Sequence, residues 1–215
     1  MVRIGISVEG TTEERFVEMV LSPYLAQKNI YITPISMNGD VKLDRVKSEL
    51  KKIGNSFDYV TTFYDFYGFK GKLADDTKAS LEQKMLEHAH PSIQGKLIPY
   101  VQMYEFEGLL FSSPIAMHNT LNQPNFDPSV ETWASNILMQ FGNDPERIND
   151  SPQTAPSKRL ENNTSYRKTT HGPNIAKEIG IAKLRDSCAG FNGWLNSLEQ
   201  LVDTLFKRKL FCALR

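Results

Sequence analysis

Three short acidic motifs punctuate this chain of 215 residues: Glu9-Gly10 followed by Thr11-Thr12-Glu13, then Asp65-Phe66-Tyr67-Gly68, then Glu105-Phe106-Glu107. Each follows an apolar or β-branched run, so each puts a carboxylate where a strand is expected to end. A carboxylate there must be paired, protonated, metal-bound or solvated, because an unpaired buried charge is expensive. Glu9 alone reads as an acceptor for the turn that follows it, and Glu13 alone as a solvated helix residue. Three acidic strand ends in one small sheet, however, predict a hard-cation site. Mg²⁺ or Mn²⁺ takes oxygen ligands, and like-charged carboxylates tolerate proximity only with a cation between them.

The elements that must position these acids follow from periodicity. Val2, Ile4, Gly5, Ile6 and Val8 form an apolar run short enough for a buried strand. Thr11 or Thr12 is suited to cap the next helix, with Glu14 at capping-box spacing from Thr11. Phe16, Val17, Val20, Leu21, Tyr24 and Leu25 give that helix one apolar stripe. A second strand is expected over Ile30–Ile35, a turn at Asn38-Gly39-Asp40, and a helix over Val41–Ile53 ended by Gly54-Asn55. Asp58–Tyr64 is the clearest strand, β-branched and aromatic throughout. Leu73–His90 reads as a polar helix and Leu97–Tyr104 as a further strand. Strands alternating with crossover helices predict an α/β fold with a mainly parallel sheet. The carboxyl ends of parallel strands share one edge, which is where open α/β sheets keep their chemistry. Glu9, Asp65, Glu105 and Glu107 are therefore expected to converge.

From Ser112 onward prolines punctuate a loop-rich region around a helix near Val130–Phe141. Pro156-Ser157-Lys158-Arg159-Leu160 opens a basic stretch with Tyr166, Arg167, Lys168 and His171. Helices are expected over Asn174–Arg185 and Trp194–Leu214, the last ending on Lys207-Arg208-Lys209. The division expected is an α/β core over 1–113 and a mostly helical region over 114–215.

Composition narrows the function classes. Lys+Arg and Asp+Glu balance at 25 each, so no global basic field announces a nucleic-acid binder and any such surface must be local. Hydrophobic content of 40% and charged content of 23% are ordinary for a globular protein. Cys188 and Cys212 make neither a metal-ligand pair nor a disulfide framework, and a reducing cytoplasm is the expected setting. No secretory signal and no membrane span are expected.

Taken together, Val8-Glu9-Gly10-Thr11-Thr12-Glu13, Asp65-Phe66-Tyr67-Gly68 and Glu105-Phe106-Glu107-Gly108-Leu109-Leu110-Phe111 resemble the TOPRIM fold of topoisomerases, DnaG-type primases and OLD-family nucleases. With Pro156-Ser157-Lys158-Arg159-Leu160 and Gly190-Phe191-Asn192-Gly193-Trp194-Leu195, the chain looks most like a small stand-alone TOPRIM-like family labelled as a domain of unknown function. The resemblance runs over nearly the full length and implies a Rossmann-like, mainly parallel sheet flanked by helices. It also implies that Glu9 works in acid/base chemistry or binds metal, and that Glu13 and Asp65 join the metal site. Two positions depart from the pattern. Tyr67 stands where the second Asp of D-x-D is expected, and Tyr104 where relatives often have His. Glu105 or Glu107 is the candidate replacement for the missing carboxylate.

The function expected is Mg²⁺- or Mn²⁺-dependent phosphodiester hydrolysis of nucleic acid, DNA ahead of RNA, in phage defence or DNA repair. Glu9 and Lys158 are the candidate catalytic residues. Glu9, Glu13, Asp65, Glu105 and Glu107 are the candidate metal ligands, and Arg159, Arg167 and Lys168 the candidate phosphate contacts. The structural alternative makes the basic cluster a solvated face, and makes Tyr64, Tyr67 and Tyr104 packing residues rather than base-stacking ones. His171 is a lesser acid/base candidate. The competing function is a non-catalytic TOPRIM-like binding or regulatory subunit beside a separate ATPase, since this sequence has no phosphate-binding G-x-x-x-x-G-K-[ST] loop. A homo-oligomer is compatible with either.

Overall fold

Val2–Val8 form β1, the strand on which the sheet is built, and only Arg3 along it is exposed. The computed structural model describes residues 1–203. β1 lies between β2 (Ile30–Ser36) and β3 (Tyr59–Asp65), parallel to both. Two short strands, β4 (Leu97–Ile98) and β5 (Val101–Gln102), run parallel along the other edge of β3. The order is β2-β1-β3-β4, with β5 also paired to β3. This is the α/β, mainly parallel architecture that the alternation predicts.

The strand expected over Leu97–Tyr104 is interrupted at Pro99-Tyr100. Proline has no N–H for the ladder. The Thr62 hydroxyl stands in, accepting from the Tyr100 N–H at 2.8 Å and donating to the Tyr100 carbonyl at 2.9 Å. The register is the same on both sides of the break. The segment also ends earlier than expected, because Tyr104 has φ +59 and leaves extended geometry before Glu105.

Helix α1 (Thr11–Phe16) passes through a π-type turn, Val17–Leu21, into α2 (Ser22–Ala26). Its cap is Gly10 rather than either threonine, and Glu13 rather than Glu14 reaches back, accepting from the Gly10 N–H at 2.9 Å. Helices α3 (Leu43–Ile53) and α4 (Lys78–His88) are shorter than the segments expected to hold them. They cover one face of the sheet around Val46, Leu50, Val60, Tyr64, Leu81 and Met85.

The other face carries the helical C-terminal region: α5 (Glu107–Leu110), α6 (Pro114–Leu121), α7 (Val130–Gln140), α8 (Pro156–Asn163), α9 (Lys168–Ser187) and α10 (Ala189–Glu199). The helix expected over Asn174–Arg185 is longer at both ends and breaks at Gly180, whose φ of +75 suits only glycine. The last helix begins at Ala189 rather than Trp194, and the portion expected beyond residue 203, with Lys207, Arg208, Lys209 and Cys212, lies outside the described residues. Trp194 locks this layer to the sheet. Its indole N–H donates to Thr61 Oγ1 at 2.9 Å and its ring stacks on Tyr100 at 4.7 Å. Phe63 and Phe191 pack against it and Phe16 joins them to Phe106, so one apolar core runs from β1 to α10. Arg185 ties α9 to Glu199 on α10 and to the Tyr24 hydroxyl on α2. Among the described residues no helix is long and apolar enough to cross a membrane.

Candidate active site

The carboxyl ends of β1 and β3 carry Glu9 and Asp65 side by side, because the two strands pair in parallel with Val8 opposite Phe63. Gly68, at the end of the turn after β3, lies directly against Glu9. A methyl group at position 68 would overlap the Glu9 carboxylate, so any larger residue there would have to push that side chain aside. Asp65 is buried, and its Oδ1 accepts the Phe106 N–H at 2.8 Å. That bond brings the Glu105-Phe106-Glu107 turn onto β3 and carries Glu107, fully buried, into the same cluster. Glu107 Oε1 accepts from the Tyr166 hydroxyl at 3.1 Å. Glu13, also buried, joins from the first turn of α1. Glu105 turns the other way, and its Oε2 accepts the Ser157 N–H at 2.8 Å in the first turn of α8.

At the centre of the acids stands Lys168, the first residue of α9. Its ammonium is 3.5 Å from Glu107 Oε2 and 4.0 Å from Asp65 Oδ2. The electrostatics follow from this arrangement. Burial and the neighbouring charge of Glu13 push Glu9 up to about 7, against the pull of Lys168. Burial raises Glu107 to about 7 despite Lys168 beside it. Asp65 is driven well above its ordinary value by burial and then by Glu13, against Lys168. Burial alone would lower the Lys168 ammonium, but Glu107, Asp65, Glu13 and Glu105 outweigh it and hold it charged. Two carboxylate oxygens remain buried without a hydrogen-bond donor, Glu9 Oε2 and Glu107 Oε2. A native interior rarely leaves such atoms orphaned, and each calls for an explanation.

The site thus unites Glu9, Glu13, Asp65 and Glu107, with Glu105 at its edge. Lys158 and Arg159 lie outside it: Lys158 is exposed and pairs with Glu161 at 2.8 Å, and Arg159 pairs with Asp150 at 2.6 Å. Arg167 is exposed, with its backbone N–H donated to His171 Nδ1 at 3.0 Å. Arg167 and His171 line a cleft of about 460 Å³ that adjoins Tyr166. Tyr64 is fully buried and donates to Ser7 Oγ at 2.7 Å, which makes it a core residue. Tyr67 and Tyr104 remain partly exposed at the rim, ring centroids 5.5 Å apart. The sequence alone makes Lys168 a phosphate contact or part of a solvated face and gives Tyr166 no role. No local signal sets them apart, since both reach the acids only through the docking of α9.

An all-oxygen donor set, with Glu9 Oε2 unpartnered and Glu107 Oε2 ion-paired with Lys168, suits a hard dication. Among the described residues, however, no three Asp, Glu, His or Cys side chains stand ready-made around one ion. The cation the cluster holds is Lys168, and a metal would bind where that ammonium now balances the charge.

A family model described as "Domain of unknown function (DUF4276)" matches residues 8–199. Two solved structures are similar, both of the C-terminal region of the Xanthomonas campestris pv. campestris OLD protein. The one phased with mercury is 15% identical, covers 94% of this chain and 97% of its own, and has a TM-score of 0.44. The one phased with iodine is 15% identical, covers 95% and 97%, and has a TM-score of 0.42. No curated protein matches this sequence.

Proposed function

The chain belongs to the family of the domain of unknown function DUF4276, and on that premise we propose that it is a divalent-metal-dependent phosphodiesterase, a nuclease of the TOPRIM type. The observation that carries the reading is one carboxylate cluster in which Glu9 Oε2 is buried with no hydrogen-bond donor and Glu107 Oε2 is met by the Lys168 ammonium. Motif order adds to it, since the residues that resemble the TOPRIM acids are the ones that converge.

Among the described residues no three of these acids stand around one point, so Mg²⁺ or Mn²⁺ would be held by Glu9, Asp65 and Glu107 once Lys168 withdraws and they close in, with Glu13 on the α1 side. Such an ion, when bound, supplies positive charge to phosphate oxygens and a water of lowered pKa. Glu9 would either bind the ion or, left free of it, take the attacking water's proton. Lys168, released from the acids by that ion, would meet the negative charge that builds on the phosphate. Arg167 and His171 line the cleft through which the strand's backbone would pass. Lys158, paired with Glu161 outside the cluster, takes no part in this reading.

A second reading has its own observation. Tyr67 replaces the second acid of D-x-D, and Lys168 already balances the cluster, as suits a non-catalytic binding subunit that acts beside a separate ATPase. Calorimetric titration with Mn²⁺ separates the two. The nuclease reading expects one binding event, lost in Glu107→Gln; no heat from wild type at pH 8 would leave the binding-subunit reading alone.

A further inference from the structure

We propose that the cleft between the Phe66–Tyr67 turn and the start of α4 is a nucleobase subsite, so that the substrate strand is single-stranded at the carboxylate cluster. The proposal rests on the nuclease reading for its neighbour, but its own evidence is separate. The cleft has a volume of about 530 Å³ and is lined by Phe66, Met103, Tyr104 and the first turn of α4. That volume is in the range of small-molecule sites. Its polar neighbours are already engaged. Asp76 holds Lys84 and the Leu73 N–H, Thr77 caps Ser80, and Lys78 is bound to Glu82 and the Val101 carbonyl. What the cleft offers a ligand is therefore aromatic and apolar surface.

Its position follows from the chain. Phe66 is the residue after Asp65, and Tyr104 the residue before Glu105. Tyr104 adopts φ +59, a left-handed conformation that a bulky side chain pays strain energy to hold. The Tyr67 N–H donates to the Tyr104 carbonyl at 3.0 Å and keeps it there. The strained residue is the one whose ring lines the cleft. The Lys72 ammonium, which donates to the Phe69 carbonyl at 3.4 Å, sits 5.4 Å from the Phe66 ring centre and 5.8 Å from that of Tyr67, a cation beside the aromatic residues of the turn. Flat rings with a cation beside them, at the same strand end as the carboxylate cluster but on the α4 side of the sheet, match the parts of a nucleotide: a π-faced base and an anionic phosphate. Bases in a duplex are stacked on one another, so only an unpaired base can enter.

The test is fluorescence anisotropy in EDTA, where no cleavage occurs. The probes are a labelled oligodeoxynucleotide, the RNA of the same sequence, the matching duplex, and an abasic strand of equal length. The expected result is that a base-bearing single strand, DNA or RNA, binds at least about fivefold more tightly than the abasic strand and the duplex. Phe66→Leu and Tyr104→Asn, the latter tolerating the left-handed backbone, should abolish that preference and leave abasic binding unchanged. Equal affinity for all probes, or a preference untouched by both variants in folded protein, would overturn the subsite. A base preference without metal-dependent cleavage would keep the subsite and discard the nuclease reading instead.

Discussion

The Lys168 ammonium lies 3.5 Å from Glu107 Oε2, an oxygen that no hydrogen-bond donor reaches. One lysine from α9 thus pairs with carboxylates from β3 and α5 and adds its charge to the field on Glu9 and Glu13. The side chain is 37% exposed, so the pair is screened on one side and not sealed. Replacing Lys168 with Met would leave the acids uncompensated. The expected cost is about 2 kcal/mol at pH 8 by urea unfolding, below the range for a fully buried pair. Mn²⁺ should restore part of it.

Acid pH should stabilise the protein rather than loosen it. Glu9 and Glu107 are raised from 4.5 to about 7 on folding. Between those values the native state binds protons that the unfolded chain has released. Their contribution is therefore fully present below about 4.5 and is lost as pH rises through 7. Unfolding free energy should fall by on the order of 2 kcal/mol between pH 5 and pH 8. In Glu107→Gln the fall should be smaller.

Metal binding should show the opposite pH dependence. A dication needs the carboxylates ionised, so Mn²⁺ affinity should rise through pH 7 and release protons on binding. Calorimetry in buffers of different ionisation heat reads the proton count directly.

Gly68→Ala should separate fold from site. The added methyl would overlap the Glu9 carboxylate and force it aside. Since Glu9 lies at the sheet's edge, the loss of stability should stay near 1 kcal/mol. Mn²⁺ binding should weaken at least about tenfold, on the assumption that Glu9 supplies about 1.4 kcal/mol or more of it.

These predictions also mark what the sequence could reveal. The β-branched runs before Glu9 and Asp65 gave both strands, and parallel pairing then placed both acids on one edge without any side-chain information. Glu107 was reachable by the same logic, although Pro99 splits its strand and the Thr62 hydroxyl that bridges the break carries no sequence signature. Lys168 and Tyr166 were not reachable. Their role depends on how the N-terminus of α9 docks, with Gly172 closely packed against Tyr166, Phe106 and Thr12. That is tertiary geometry with no periodicity. Gly10, not Thr11 or Thr12, became the helix cap because Glu13 supplies the reaching acceptor itself.

The most direct measurement is cleavage of supercoiled plasmid and single-stranded RNA by purified protein with Mg²⁺, Mn²⁺ or EDTA. Glu9→Gln and Asp65→Asn would be run beside wild type. Asp65→Asn keeps the acceptor for the Phe106 N–H and should stay folded. The account predicts metal-dependent cleavage that disappears in both variants. Cleavage that persists in both, or no cleavage of either substrate with either metal, would contradict it.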